Sequence, residues 1–213
     1  MTKKERALKA VEALKKEYPD GLCSLNAENP FQLLVATRLS AQCTDARVNM
    51  VTPELFKRFP GPEEMAEAEV EEVEDIIKST GFFRMKARDL VTMSGQIVND
   101  FGGEIPGTVE ELITLQGIGR KTANLVCGDV FSMPGAVVTD THLIRITNRL
   151  GLVDSQNPVI VERELRKILP PDESNDFCHR CVLHGRAVCT ARKANCEICC
   201  MNDFCKKKKY KKK

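Results

Sequence analysis

The residue types able to do chemistry fall into three groups: a lysine behind a glycine turn, an aspartate ahead of an amphipathic run, and a set of clustered cysteines. The stretch LQGIGRKTANLV (115–126) places Gly117 and Gly119 at a turn and Lys121 in the first turn of the helix that follows. Glycines allow a tight turn and let backbone N–H groups approach a phosphate, an anion that a helix N-terminus attracts. Lys121 there suits a phosphate contact or, as a neutral amine, a nucleophile. Asp140 precedes THLIRITNRL and can cap that helix, which favours its ionised form. A plain capping role accounts for Asp140 as well as a chemical one does, and the two are compatible.

Five of the ten cysteines lie within residues 189–205, and Cys189, Cys196, Cys199 and Cys205 read C-x6-C-x2-C-x5-C. Thiolates so spaced can converge on one cofactor. Only one close pair is present, so an iron–sulfur cubane suits the spacing better than zinc, which usually takes two C-x2-4-C knuckles; zinc stays open. Arg192 and Lys193 project from the loop between the first two cysteines, either toward phosphates or simply into solvent. Cys200 reads as a spare or packing thiol and the Cys178/Cys181 pair as buried thiols. Cys23, Cys43 and Cys127 read as core residues.

The elements that must position these groups are all helical by pattern. Capping boxes occur at Thr2/Glu5 and at Thr108/Glu111, the latter opening VEELITL (109–115), Asn29-Pro30 opens FQLLVATRLSAQ, and Thr44 or Asp45 opens the next helix. Thr52-Pro53 reads as a further start, before ELFKRF. Helical spacing runs over 69–79 and 84–101, and Gly102-Gly103 closes the latter. SMPGAVVT (132–139) reads as a crossing loop, with helices near 141–151, 158–169 and 175–186 after it. The fold class expected is all-α with two helical lobes, cut at that loop.

The chain has 213 residues, 42 % apolar and 29 % charged, as soluble globular proteins do. No apolar h-region or membrane span is seen, so cytoplasmic (nucleoid-associated) residence, reduced thiols and no membrane partner are expected. The net charge of +2 hides an asymmetry. The segment after Cys205 carries seven lysines, leaving 25 cations against 30 anions elsewhere. An anionic partner must meet local patches or that tail.

Taken together, LLVATRLSAQCTD, GRKTANLV, TDTHLIRITNRLGL, HGRAVC and the four cysteines resemble the endonuclease III family of DNA glycosylases, in the helix-hairpin-helix (HhH-GPD) superfamily. The match runs over nearly the whole chain. Gln116 departs from it where the hairpin commonly has proline, Thr139 where an aliphatic residue is usual, and Cys181 where an aromatic is. The resemblance implies a six-helix barrel lobe at 22–133 with the hairpin at about 108–131. It also implies an iron–sulfur lobe of 1–21 plus 134–205, a lysine-rich tail at 206–213, and a DNA-binding cleft between the lobes. It implies a monomeric, bifunctional base-excision-repair enzyme that removes oxidised pyrimidines such as thymine glycol and cleaves the abasic site by Schiff-base β-elimination. The partner is double-stranded DNA with damaged bases or abasic sites.

By the same likeness Lys121 is the nucleophile and Asp140 the catalytic carboxylate, and Cys189, Cys196, Cys199 and Cys205 hold a [4Fe–4S] cluster. DNA contacts fall to Gln42, which fills the place of the extruded base, and to Phe82 as a wedge. The hairpin residues Gly117, Ile118, Gly119 and Arg120 join them, with His142, Arg192 and Lys193. Asp45 and Lys86 line the pocket or groove. Read as bare residues, Gln42 is a helix-terminal polar group, Phe82 a core phenylalanine and His142 a structural histidine. Two other functions fit: a monofunctional mismatch glycosylase of the same superfamily, whose members carry Ser or Tyr where Lys121 stands, or a non-catalytic iron–sulfur or zinc DNA-damage binder.

Overall fold

The computed structural model describes residues 1–21 and 23–206; Leu22 and the lysine tail from residue 207 onward lie outside the described residues. In chain order the helices are α1 (Lys3–Glu17), α2 (Pro30–Leu39), α3 (Asp45–Arg58), α4 (Pro62–Ala66), α5 (Val70–Ile77) and α6 (Phe83–Phe101). They continue with α7 (Val109–Leu112), α8 (Arg120–Asp129), α9 (Thr141–Leu150), α10 (Pro158–Arg166) and α11 (Ser174–Ala187). Short 3-10 turns cover Lys78–Thr80, Pro171–Glu173 and Cys196–Ile198. Among the described residues no β-strand forms, only an isolated bridge between Cys189 and Ala194. No helix among them is long and apolar enough to cross a membrane.

Most helix starts are set by local side chains. Thr2 Oγ1 accepts from Glu5 N–H at 3.2 Å while Thr2 N–H donates to Glu5 Oε2 at 2.8 Å, closing a capping box. Asn29 Oδ1 accepts from Gln32 N–H at 2.9 Å, and Thr44 Oγ1 from Arg47 N–H at 3.3 Å. Two boundaries differ from the sequence reading. α3 runs through Thr52-Pro53 without restarting. Val48, Thr52 and Leu55 bury on one face of it, and that packing outweighs the single ladder bond proline removes. α7 stops at Leu112 rather than reaching Leu115, as Thr114 Oγ1 donates to Glu111 O at 2.7 Å and turns the chain.

The chain folds as two units, one of Met1–Cys23 with Ser132–Lys213 and one of Ser24–Phe131. In the Ser24–Phe131 unit, α6 packs on α4 and α5 and inserts Leu90, Met93 and Ile97, all fully buried. Each such side chain contributes roughly 1.5–3 kcal/mol of burial. In the other unit, α11 packs on α9 and α1. Gly185 makes that approach possible: a Cβ there would collide with His142 Nδ1 and stand 2.7 Å from Arg145 Nη2. Cys127, Cys178 and Cys181 are buried as expected, but Cys23 and Cys43 are half-exposed rather than in the core. Cys43 lies in the short turn between α2 and α3, and Cys23 precedes Ser24 at the unit boundary.

Candidate catalytic hairpin and cysteine centre

The hairpin of the Ser24–Phe131 unit is built by α7, the turn at 115–119 and α8. Thr108 Oγ1 caps α7 by accepting from Glu111 N–H at 3.2 Å. Within the turn, Ile118 N–H donates to Leu115 O at 3.1 Å and the Ile118 side chain is buried. Gly117 adopts φ +75°, the left-handed region that glycine enters without cost. Space demands glycine there too. A Cβ would lie 2.6 Å from Arg38 Nε and 2.7 Å from Asp89 Oδ2, the two halves of a buried ion pair. Gly119 has φ −96°, open to any residue, and a Cβ there would meet nothing within 4 Å. The chain itself therefore does not require that glycine. Its missing side chain leaves the N-terminus of α8, which no side chain caps, open to an approaching anion.

Gln116, at the turn position where the resemblance leads to an expectation of proline, is fastened by hydrogen bonds. Its N–H donates to Gln96 Oε1 at 2.7 Å and its Nε2 to Asp89 Oδ1 at 2.9 Å, and Gln96 Nε2 donates to Thr114 O at 3.3 Å. Proline would stiffen the turn covalently; glutamine uses the N–H that proline lacks. Gln116→Ala is expected to lower the urea unfolding midpoint by the equivalent of about 1 kcal/mol, because Asp89 Oδ1 loses a partner. An unchanged midpoint would show that the side-chain bond to Asp89 carries no stability.

Lys121 is the second residue of α8, exposed, and forms no ion pair among the described residues. Arg120 beside it is half-buried. Gln42 follows α2, exposed and at φ +53°. Phe82 precedes α6 at φ +50° and is 62 % exposed, so it is not a core phenylalanine. Lys86, expected at the pocket or groove, is instead fully enclosed. Asp45 opens α3 and accepts from Ser24 Oγ at 2.6 Å.

In the other unit Asp140 is the N-cap of α9, its Oδ1 accepting from Leu143 N–H at 2.7 Å. His142 is half-buried, its Nδ1 3.0 Å from Arg145 Nη2. That arginine also donates to Gly185 O and to Cys189 O, each at 3.0 Å. One buried guanidinium thus fastens the start of α9 to the end of α11 and to the first cysteine of the array.

The array forms one locale. Burial pushes the Cys199 thiol above its ordinary value, the charges of Cys189, Cys205 and Cys196 push it the same way, and a hydrogen bond from the Met201 backbone opposes them. Among the described residues no three His, Cys, Asp or Glu side chains converge closely enough to hold a single metal ion. Arg149 Nη1 lies 3.2 Å from Cys189 Sγ and donates to Thr190 O at 2.8 Å. Burial lowers His184 to about 4, so it is neutral near pH 7. It bridges Tyr18 Oη, 3.2 Å from Nδ1, and Cys199 Sγ, 3.3 Å from Nε2. Burial pushes the neighbouring Cys200 thiol up to about 11. Between Cys189 and Cys196, Thr190 Oγ1 accepts from Lys193 N–H at 3.1 Å and tightens a loop that carries Arg192 and Lys193 exposed.

Sequence reasoning did not find Arg38, Asp89, Gln96, Arg145, Arg149, Tyr18 or His184. A charged residue inside an otherwise apolar helix, such as Arg38 in FQLLVATRLS, was the one available signal.

The family described as HhH-GPD superfamily base excision DNA repair protein matches residues 35–171. The chain is 47 % identical to endonuclease III of Synechocystis sp. over 204 residues, 96 % of this chain and 93 % of that one. It is 40 % identical to endonuclease III of Bacillus subtilis, covering 89 % and 86 %. A solved structure of a trapped endonuclease III–DNA covalent intermediate superposes with a TM-score of 0.90 at 38 % identity, covering 97 % of each chain.

Proposed function

The chain belongs to the HhH-GPD superfamily of base excision DNA repair proteins, as a bifunctional DNA glycosylase and abasic-site lyase, and we propose that Lys121 and Asp140 carry its chemistry on oxidised pyrimidines such as thymine glycol. The observation that supports this reading most is the placement of Lys121: exposed, without an ion pair among the described residues, and in the first turn of a helix whose N-terminus no side chain caps. A strand phosphate held at that helix end brings a sugar within reach of the amine.

In this reading the neutral Lys121 Nζ bonds to C1′ as the C1′–base bond breaks. The proton shed by the nitrogen balances the one taken up by the departing base. Opening of the sugar ring, with O4′ taking up a proton from solvent as the C1′–O4′ bond breaks, then gives a protonated Schiff base, which acidifies C2′–H. Loss of that proton and cleavage of the C3′–O3′ bond nick the strand, and water returns the lysine. The Asp140 carboxylate offsets the positive charge that the sugar gains as the base departs. Gln42 and Phe82, exposed on the two loops flanking α2 and α6, fill the space left by the extruded nucleotide. The hairpin backbone at Gly117–Arg120, His142 and the Arg192-Lys193 loop add contacts that position the strand. The experiment is borohydride reduction during turnover on a duplex with one thymine glycol: a covalent protein–DNA adduct and a nick are expected. Tight binding with neither would favour a non-catalytic damage binder.

Cys189, Cys196, Cys199 and Cys205 would hold a [4Fe–4S] cluster through their thiolates, and the bound cluster would tie residues 189–205 together. One close cysteine pair flanked by two wider gaps suits a cubane better than zinc, which usually takes two C-x2-4-C knuckles. Arg149 and neutral His184 supply donors that orient the ligands. Purified protein is expected to be brown, with iron and sulfide in equal amounts, and Cys199→Ser to lose the colour and melt earlier. Colourless protein containing zinc would refute the assignment.

A further inference from the structure

A lysine ammonium withdrawn from water persists only where fixed dipoles replace its hydration shell. Lys86, near the start of α6, is 1 % exposed. Burial draws its ammonium below the ordinary lysine range. Its Nζ donates to Leu39 O and to Thr80 O, both at 2.7 Å. These are the last carbonyls of α2 and of the Lys78–Thr80 turn, where ladder partners run out and the helix dipole is negative. One cation therefore ties together two chain ends that are distant in sequence.

Just beyond each tied carbonyl stands a non-glycine residue in the left-handed region, Gln42 at φ +53° and Phe82 at φ +50°. Side chains with a Cβ rarely enter that region, and they persist there only when their surroundings over-determine them. Both are exposed. The two loops run close together: a Cβ added to Gly81 would stand 4.0 Å from Gln42 O.

We propose that Lys86 is a positioning residue for damage recognition, its ammonium locking the loop after α2 and the loop before α6 into one platform that presents Gln42 and Phe82 together. The proposal rests on the reading that these two side chains fill the space of an extruded nucleotide. Its physical logic is preorganisation. Loops already held in their strained geometry need no ordering when the duplex opens, so the benefit appears only on DNA that accepts both side chains.

Lys86→Met keeps the apolar stem and removes the donors, and Lys86→Gln keeps one donor group. Equilibrium binding is measured on a duplex with a tetrahydrofuran abasic analogue and on the same duplex undamaged, with helical circular dichroism verifying the fold. The preference for the abasic analogue is expected to fall about tenfold in Lys86→Met and by less in Lys86→Gln, with undamaged-duplex affinity held within about twofold. If Lys86→Met does not fold, Lys86→Gln decides, and an unchanged preference overturns the proposal. Equal losses on both duplexes mark a merely structural lysine and also overturn it. In a Gln42→Ala/Phe82→Ala background the effect of Lys86→Met should shrink to less than about twofold. A full loss there places its action elsewhere. Should Gln42→Ala/Phe82→Ala itself keep the preference, the underlying reading of those two side chains falls. If that double variant loses the preference while Lys86→Met keeps it, the role of Lys86 alone falls.

Discussion

Lys121→Ala is expected to bind damaged duplex with near-normal affinity yet to give no borohydride-trapped adduct, with strand nicking slowed by roughly 10²–10⁴-fold, the scale of a positioned proton-transfer or nucleophilic group. The split between binding and chemistry follows from where the residue sits. In the proposed reading the α8 N-terminus, with its open Gly119 and no side-chain cap, holds phosphate through the backbone, which the substitution leaves alone. Alanine is also a good helix former, so α8 keeps its first turn. The measurement pairs single-turnover nicking on an abasic duplex with equilibrium binding to a tetrahydrofuran duplex, on which no Schiff base can form. A trapped adduct of wild-type yield in Lys121→Ala would place the nucleophile at another amine. A parallel collapse of binding would make Lys121 a phosphate contact, the other role its residue type allows.

Asp140→Asn is expected to slow base release by about 10²–10³-fold while leaving the fold and DNA affinity nearly unchanged. The substitution separates charge from cap. Asparagine caps helices as well as aspartate does, so the bond from Leu143 N–H to the side-chain oxygen survives. What disappears is the negative charge, which costs α9 no more than about 1 kcal/mol of dipole interaction. If Asp140 were only a cap, base release would proceed at the wild-type rate and the melting temperature would record the whole effect. A loss of affinity as large as the loss of rate would equally remove it from the transition state. Rates of thymine glycol excision, melting curves and binding isotherms on one preparation distinguish these outcomes.

How much of this was legible in the residues depends on how far each interaction reaches along the chain. Thr2, Asn29, Thr44, Thr108 and Asp140 all cap helices by bonds spanning three residues, so type and spacing announce them. The positive φ of Gly117 and the glycine stop at Gly102, φ +63°, belong to the same local class. Pro53 misled because its usual meaning as a helix start is also local, whereas the burial of Thr52 and Leu55 that carries α3 past it is not. Cys23 and Cys43 misled in the same way: a lone cysteine is usually buried, but exposure is set by what packs against it.

The sequence by itself determined the all-helical architecture, the lysine in the first turn behind a glycine hairpin, the aspartate that caps α9 and the spacing of the cysteine array. Each depends on dihedral preferences or on hydrogen bonds that close within one helical turn. Only the tertiary structure decided that Gly117 is pressed against the Arg38–Asp89 ion pair and that Gln116 is anchored where proline was absent. It alone showed Phe82 standing in solvent, and Lys86 buried against two carbonyls. The partners concerned lie 51 residues apart for Arg38 and Asp89 and 47 for Lys86 and Leu39. Burial and polar satisfaction are properties of a surrounding shell, and that shell exists only once helices distant in sequence have packed.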